Sequence, residues 1–134
     1  PILRGHAGVD MEGAMVALAK VLNPAIEYKV ADIQHLPYPD KSFDTIIIPE
    51  TLEHLNFEKE VPRAIAEAHR VARKRILVTM PDGRHDTPEA CNLKHRYLLD
   101  AEYLAQLREL FEKPTAITWV AGFCCLRCDL EDDL

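Results

Sequence analysis

Apolar residues recur along the chain in two alternating patterns, one with the period of a strand and one with the period of a helix. Short apolar or alternating runs predict strands at residues 8–10, 25–31, 43–48, 75–80, 115–120 and 122–130. Between them, apolar side chains three or four positions apart predict helices at residues 11–22, 56–72 and 100–111. Asn23-Pro24 should end the first helix, whereas Asn56 and Asp100 should cap the other two.

This alternation predicts an α/β fold, with a mostly parallel twisted sheet and helices on both faces. The last two strands are separated only by Ala121-Gly122, so we expect them to form an antiparallel pair. Three consecutive isoleucines, Ile46–Ile48, predict a strand that is buried on both faces. Because no repeat or linker divides the sequence, residues 1–134 are expected to form a single domain.

The net charge limits the classes of partner. The 134 residues carry 22 acidic and 16 basic side chains, which gives a net charge of −6 and a pI of about 5.5. Basic residues are scattered except for Arg70, Arg73, Lys74 and Arg75, near a predicted helix end where the helix dipole favours cations. This distribution argues against a nucleic-acid partner, and no apolar run reaches the ~20 residues of a membrane span. We therefore expect a small-molecule substrate and no membrane.

The cysteines allow two interpretations. The run "CCLRC" contains Cys124, Cys125 and Cys128, with the CxxC spacing found in zinc sites. A structural zinc site needs four ligands, usually from two such pairs, and alternation along a strand would put Cys125 and Cys128 on opposite faces. We therefore interpret these cysteines as buried structural thiols and expect a reducing, cytoplasmic location.

Acidic side chains follow three successive predicted strands. Asp10, Asp32 and Glu50 stand at these positions. Ligands of open α/β sheets bind outside the carboxyl ends of the strands. A single aspartate there most often caps the next helix, but three acids in register favour a ligand that offers hydroxyl and amine donors. The sequence therefore predicts a nucleotide-like ligand at this edge.

Four stretches of the sequence resemble a known family, the class I S-adenosylmethionine-dependent methyltransferases. "GVDMEGAMVALAK" is similar to the family's second strand and the helix after it, "VADIQHLPYPDKSFDTIIIPETLEHL" to its third and fourth strands, and "RILVTMPDG" to its fifth. "KHRYLLDAEYLAQLRELF" resembles the histidine-containing segment and helix before the last two strands. The resemblance covers nearly the whole chain and implies a Rossmann-like enzyme. The combination of "DIQHLPYPDKSFD" with the "LEHL" that follows it resembles the branch that acts on small molecules, lipids and RNA ends.

The resemblance also implies which residues bind the cofactor, S-adenosylmethionine. They are Asp10, Met11, Asp32, Ile33, Pro49 and Glu50. Asp10 would accept hydrogen bonds from the ribose hydroxyls, and Met11 would pack on the adenine. Asp32 would accept a hydrogen bond from the adenine amine, with Ile33 as a wall, and the last two residues would lie beside the methionine moiety.

The start of the sequence departs from the family's pattern. The first strand and the glycine-rich loop of the family should precede "GVD", but only "PILRGHA" stands there, and Gly5 and Gly8 do not make the loop motif. We therefore expect an N-terminally incomplete domain that alone binds S-adenosylmethionine weakly and whose own activity is in question. Upstream residues, a strand from a second copy or direct closure of the two sheet edges would fill the gap, so a homodimer is one arrangement.

The segment after the third strand carries candidate catalytic groups. Glu50, Glu53 and His54 are spaced i, i+3, i+4, which on a helical turn places them on one face. In one interpretation His54 and the distant His95 face the substrate as base or orienting group. In the other, all four residues hold a divalent cation, as a similar pattern in small-RNA 3′-end and ubiquinone-pathway methyltransferases implies. We favour no metal, because three ligands from one turn do not complete a coordination shell. The other histidines are expected at the surface or in loops: His6, His35, His69 and His85.

Three functions are compatible with the sequence. The first is an enzyme that methylates an oxygen, nitrogen or carbon nucleophile of a small molecule. The second is metal-assisted methylation of vicinal hydroxyls through Glu50, Glu53 and His54. The third is a non-catalytic methyltransferase-like module that pairs with a partner, although Asp10 and Asp32 would then have no evident use.

Overall fold

The structure, a computed structural model, describes residues 5–81 and 100–131. The chain forms two compact units, Pro1–Pro37 and Tyr38–Leu134. Over the two described ranges, no helix has both the length and the apolar composition that crossing a membrane requires.

The first unit is a β-α-β arrangement. It comprises β1 (Ala7–Asp10), α1 (Gly13–Leu22) and β2 (Glu27–Val30). The two strands are parallel, and their register pairs Gly8 with Tyr28 and Asp10 with Val30. The helix ends at the predicted position, where the Asn23 N–H donates to the Ala19 carbonyl at 2.9 Å. Because the strands are parallel, Asp10 and the residues that follow β2 lie at the same edge of this sheet.

Gly8 allows β1 and β2 to approach closely. A Cβ atom at this position would lie 2.7 Å from both Cδ1 and Cε1 of Tyr28, which is closer than carbon atoms approach. Any other side chain would displace the tyrosine ring. Gly8 therefore helps to fix the strand that ends at Asp10.

The second unit contains the remaining elements. They are β3 (Phe43–Pro49), a 3₁₀ helix (Leu52–His54), α2 (Glu60–Val71), β4 (Ala72–Pro81), α3 (Ala101–Glu109), β5 (Thr115–Val120) and β6 (Phe123–Asp129). The strand order is β3-β4-β6-β5, with β3 parallel to β4 and β6 antiparallel to both of its neighbours. The predicted α/β class and the antiparallel final pair are confirmed. Ala121 and Gly122 both have positive φ, at 41° and 87°, as a two-residue hairpin turn requires.

One face of the four-stranded sheet forms the core of the second unit. Ile48, Val78 and Leu126 are adjacent across β3, β4 and β6 and are at most 2% exposed. Helix α2 contacts β3 and β4 and buries its own apolar stripe. Ile47 points to the opposite face and is 62% exposed. The prediction that the isoleucine strand is buried on both faces is therefore wrong, because residues alternate between faces and only one side of β3 is covered.

One of the two predicted helix N-caps is observed in the structure. Asp100 caps α3 as predicted, since its Oδ1 accepts a hydrogen bond from the Tyr103 N–H at 2.8 Å. Asn56 does not begin α2, which starts at Glu60. It closes the turn before the helix instead, because its Oδ1 accepts from the Lys59 N–H and its own N–H donates to the Glu60 carboxylate. The predicted N-cap therefore lies three residues before the observed one, Lys59.

The basic residues around the end of α2 are engaged by acids. Arg70, in the last turn, donates to Glu67 and to Asp40. Arg73 and Lys74 pair with Asp44, and Arg75 pairs with Asp129. These ion pairs account for the cluster structurally.

His69 is buried, contrary to the expectation of a surface or loop position. It lies on the inner side of α2, is 6% exposed, and its ring contacts the ring of Phe111. Its Nε2 accepts a long hydrogen bond of 3.4 Å from the Glu112 N–H, which requires that this nitrogen carry no proton. Burial lowers the pKa of His69, and the nearby Glu112 carboxylate only partly opposes this.

Acid is therefore expected to destabilise the second unit through His69. Because its pKa is lowered from 6.5 in the folded state, the unfolded chain binds a proton more readily. This contribution to stability is complete above pH 6.5 and is lost as the pH falls through the folded-state pKa. The melting temperature of the wild type should therefore fall more steeply than that of His69→Gln between about pH 8 and about pH 5.5, the range in which histidines titrate. Parallel curves would contradict this assignment.

Candidate functional site

The chain turns sharply where β3 ends. Glu50 has a φ of 47°, a left-handed conformation that costs a non-glycine residue about 1–2 kcal/mol. Its N–H donates to the Thr79 carbonyl of β4 at 2.9 Å, which holds the strained residue against the end of the sheet. The Thr51 hydroxyl donates to the Pro49 carbonyl at 2.7 Å and tightens the turn. Backbone strain of this kind occurs most often at functional sites.

Glu53 is buried within the 3₁₀ helix that follows. It is 2% exposed, and neither of its carboxyl oxygens has a hydrogen-bond partner among the described residues. Burial raises the pKa of the Glu53 carboxyl above its ordinary value, and the nearby Glu50 carboxylate acts in the same direction. A buried polar group without a partner costs about 1–3 kcal/mol. The turn of residues 49–54 therefore combines two features that oppose stability.

His54 connects this buried carboxyl to the surface. Its side chain is 41% exposed, and its Nε2 lies 3.8 Å from Glu53 Oε1. The His54 and Leu55 N–H groups donate to the Thr51 and Leu52 carbonyls at 3.1 Å, so the backbone around the imidazole is fixed. The ring can therefore contact a ligand while one of its nitrogens stays near a carboxyl group.

The expected single face of Glu50, Glu53 and His54 is not formed by a regular helical turn. The 3₁₀ helix covers Leu52–His54 only, and Glu50 precedes it in the left-handed region. Consequently Glu53 points inward while His54 stays accessible. In residues 5–81 and 100–131, no group of three or more His, Cys, Asp or Glu side chains is placed to hold a metal ion. His95 lies outside the described residues, so the four-ligand alternative stays a prediction.

Two aspartates lie at the carboxyl edge of the β1–β2 sheet. Asp10 ends β1, is exposed, and accepts a hydrogen bond from the Glu12 N–H at 2.8 Å. Asp32 follows β2 and accepts from the Gln34 N–H at 2.9 Å. The Ala31 N–H donates to the Asp10 carbonyl at 3.0 Å, which ties the two strand ends together. The predicted placement of both acids at one edge of this sheet is thus observed, whereas their ligand stays a prediction.

Met11 and Ile33 stand beside these aspartates in the sequence and differ in exposure. Met11 is 62% exposed, so its thioether is available to a flat apolar ligand. Ile33 is half-buried. Together with Asp10 and Asp32 they offer carboxylate acceptors next to apolar surface, which suits a nucleoside chemically.

The cysteines of β6 take no part in this site. Cys124 and Cys128 are buried, and Cys125 is half-buried on the opposite face. Within the described residues, none of the three forms a disulfide bond, and burial raises the pKa of Cys128. The interpretation as structural thiols fits these positions. Cys91 lies outside the described residues.

The comparison with protein families decides the identity. The sequence profile of the family described as "Methyltransferase domain" matches residues 4–78, which is more than half of the chain. The chain belongs to this methyltransferase family. The resemblance to class I S-adenosylmethionine-dependent methyltransferases is thereby confirmed. The matched residues include both aspartates and the whole turn of residues 49–54.

Solved structures share the methyltransferase fold. The PH0226 protein of Pyrococcus horikoshii OT3 matches with a TM-score of 0.72 and 19% identity, over 91% of this chain and 69% of that chain. A methyltransferase of Thermotoga maritima matches with a TM-score of 0.71 and 16% identity, over 91% of this chain and 71% of that chain. The [4+2]-cyclase SpnF matches with a TM-score of 0.63 and 25% identity, over 78% of this chain and 40% of that chain. No curated protein sequence gives a significant match.

Proposed function

We propose that this methyltransferase transfers a methyl group from S-adenosylmethionine to a hydroxyl or amine of a small molecule. The observation that carries the proposal is the turn of residues 49–54, where a strained Glu50, a buried Glu53 and an accessible His54 follow β3. A chain selected for stability alone would not keep both costs in one turn. A net charge of −6 and the engaged basic cluster favour a small molecule over a nucleic acid.

The first unit supports binding of the cofactor by its chemistry. Asp10 and Asp32 would accept hydrogen bonds from the ribose hydroxyls and the adenine amine, because both lie at the carboxyl edge of adjacent parallel strands. Met11 and Ile33 would pack against the adenine. When bound, the cofactor supplies a methyl group on a cationic sulfur.

Pro49, Glu50 and His54 would serve the reacting end. Pro49 and Glu50 would lie beside the methionine moiety, where a carboxylate favours a cationic centre. His54, together with His95, would orient the acceptor or remove its proton. Holding the acceptor in line with the methyl carbon contributes much of the rate of such displacements.

Other features belong to the same proposal. A cytoplasmic location accords with the absence of a disulfide bond at Cys124, Cys125 and Cys128 in the described part of the chain. The relative from Thermotoga maritima is described as a possible histamine N-methyltransferase, which accords with a small amine acceptor. SpnF is described as a [4+2]-cyclase, so the fold also occurs in proteins named for another reaction. A single domain, a homodimer and a metal-assisted reaction stay predictions.

Calorimetric titration with S-adenosylmethionine tests the cofactor site. We expect Asp10→Ala to weaken binding by about 10- to 100-fold, because hydrogen bonds to charged groups contribute ~1.5–3 kcal/mol. The matched control is Glu27→Ala, which removes an exposed carboxylate at the opposite end of the same sheet, and it should bind like the wild type. Equal affinity of all three proteins would show that Asp10 does not hold the ribose.

The reaction itself is tested by S-adenosylhomocysteine release with a panel of small hydroxyl and amine compounds. Product with at least one of them supports the proposal. Tight cofactor binding without turnover on any compound would favour the non-catalytic alternative, and turnover that is lost on chelation would favour the metal-assisted one.

A further inference from the structure

The carboxyl group of Glu53 has no task in the proposed function, although it opposes the stability of the fold. It is fully enclosed, next to Leu52, which is 0% exposed. Neither oxygen has a hydrogen-bond partner among the described residues. An apolar residue of similar volume would be the cheaper occupant of such a position. A buried carboxyl group at this position therefore points to a role in the site.

The Glu50 carboxyl and the His54 imidazole both lie near this carboxyl, and of these two groups only the imidazole is basic. His54 Nε2 lies 3.8 Å from Glu53 Oε1, and no other contact of the Glu53 oxygens with a basic group is seen in the described residues. The two side chains differ in depth, since that of Glu53 is 2% exposed and that of His54 is 41% exposed. Catalytic hydrogen bonds are often this long without substrate and shorten in the complex.

We propose that Glu53 is a positioning residue that acts through His54, so that the imidazole takes the proton of a hydroxyl acceptor. This inference rests on the proposed function and names its acceptor class. A carboxyl group beside one ring nitrogen decides which nitrogen carries the proton and leaves the other as an acceptor. The proton that leaves the hydroxyl then lies on His54, and the nearby carboxyl stabilises the imidazolium.

A hydroxyl acceptor follows from this arrangement. An alcohol or phenol oxygen becomes a much better nucleophile when a base removes its proton, whereas an amine that binds in its neutral form attacks with its own lone pair. A buried carboxyl behind an imidazole contributes most where such a base is needed. Because burial also raises the pKa of the Glu53 carboxyl, removing its charge should not harm the fold.

Glu53→Gln tests the inference, with Glu58→Gln as the matched control on an exposed glutamate of the following turn. We expect Glu53→Gln to melt at a higher temperature than the wild type, because no charge remains to be buried. We expect its turnover on a hydroxyl acceptor to fall by about 10-fold or more. This loss should be smaller than the loss on removing the base His54, because a general base raises turnover by roughly 10²–10⁴-fold. The KM for the acceptor should change little, and Glu58→Gln should match the wild type.

A double variant separates positioning from a purely structural role. If Glu53 acts through His54, Glu53→Gln should not slow the His54→Ala protein any further. If Glu53→Gln lowers turnover equally in the wild type and in the His54→Ala protein, the inference is overturned. Unchanged turnover of Glu53→Gln alone would also overturn it. If Glu53→Gln instead lowers the melting temperature and the turnover together, the role of Glu53 is structural.

Nitrogen NMR of the His54 ring tests the inference without turnover. The ¹⁵N shifts of the two ring nitrogens report which one carries the proton, and they should change in Glu53→Gln but not in Glu58→Gln. Identical His54 shifts in all three proteins would refute the positioning role even if methyl transfer is demonstrated. Conversely, absent methyl transfer with altered shifts would reject the proposed function and retain the Glu53–His54 coupling.

Discussion

His54→Ala is expected to cause a large loss of activity, lowering turnover on a proton-losing acceptor by about 10²–10⁴-fold, the usual contribution of a general base. The physical reason is the position of the ring, which is 41% exposed and lies beside the buried carboxyl of Glu53. Affinity for S-adenosylmethionine should stay close to that of the wild type, because the proposed adenosine contacts come from other residues. Initial rates at saturating cofactor, together with calorimetric titration, measure the two effects separately.

The control for this experiment is His6→Ala, which removes an exposed imidazole outside the turn. It should retain wild-type turnover. If His54→Ala also retains wild-type turnover, His54 has no part in the reaction. If it loses cofactor affinity in proportion to turnover, His54 contributes to binding and not to the chemical step.

Leu126→Ala should have the largest effect on stability, lowering the free energy of unfolding by about 2–5 kcal/mol. Leu126 is 1% exposed on β6, the strand between β4 and β5, and its register partners are Val78 and Ile117. Truncation would leave a cavity at the centre of the sheet. Since domains are stable by only ~5–15 kcal/mol, the variant should be detectably unfolded at modest denaturant concentrations.

Val120→Ala provides the comparison, since Val120 lies on the neighbouring strand and is 58% exposed. Its effect should be small, because little apolar surface returns to water. Urea unfolding followed by the fluorescence of Trp119 measures both variants. A similar loss of unfolding free energy in the two proteins would show that the sheet face containing Leu126 is not the core.

Local sequence patterns correctly predicted the parts of the fold that depend on residues close together in the chain. Alternation and turn chemistry located the Ala121-Gly122 hairpin, and Asp100 capped its helix as expected. The positions of Asp10 and Asp32 at one sheet edge followed from the direction of parallel strands. The hairpin and the cap are decided within a few residues, and the edge position of the two aspartates follows from the strand direction within one β-α-β unit, so the sequence predicts all three.

Features that depend on contacts between residues far apart in the sequence could not be predicted in the same way. The depth of Glu53 depends on how the 3₁₀ helix packs, and the spacing of the acids suggested a shared helical face instead. His69 is buried because Phe111 and Glu112, more than forty positions away, lie against it. Ile47 is exposed because its side of β3 is not covered, although the isoleucine run is typical of a strand buried on both sides.

The strand order β3-β4-β6-β5 has a consequence for how the protein is made. The central strand β6 follows all the other described strands in the sequence, and its side-chain pair Arg75–Asp129 joins positions 54 residues apart. A ribosome adds about 5–20 residues per second, so β3, α2 and β4 leave it seconds before β6 can pair with the open edge of β4. During that interval the N–H and C=O groups along this edge of β4 have no strand partner, and such an edge can pair with another chain and aggregate.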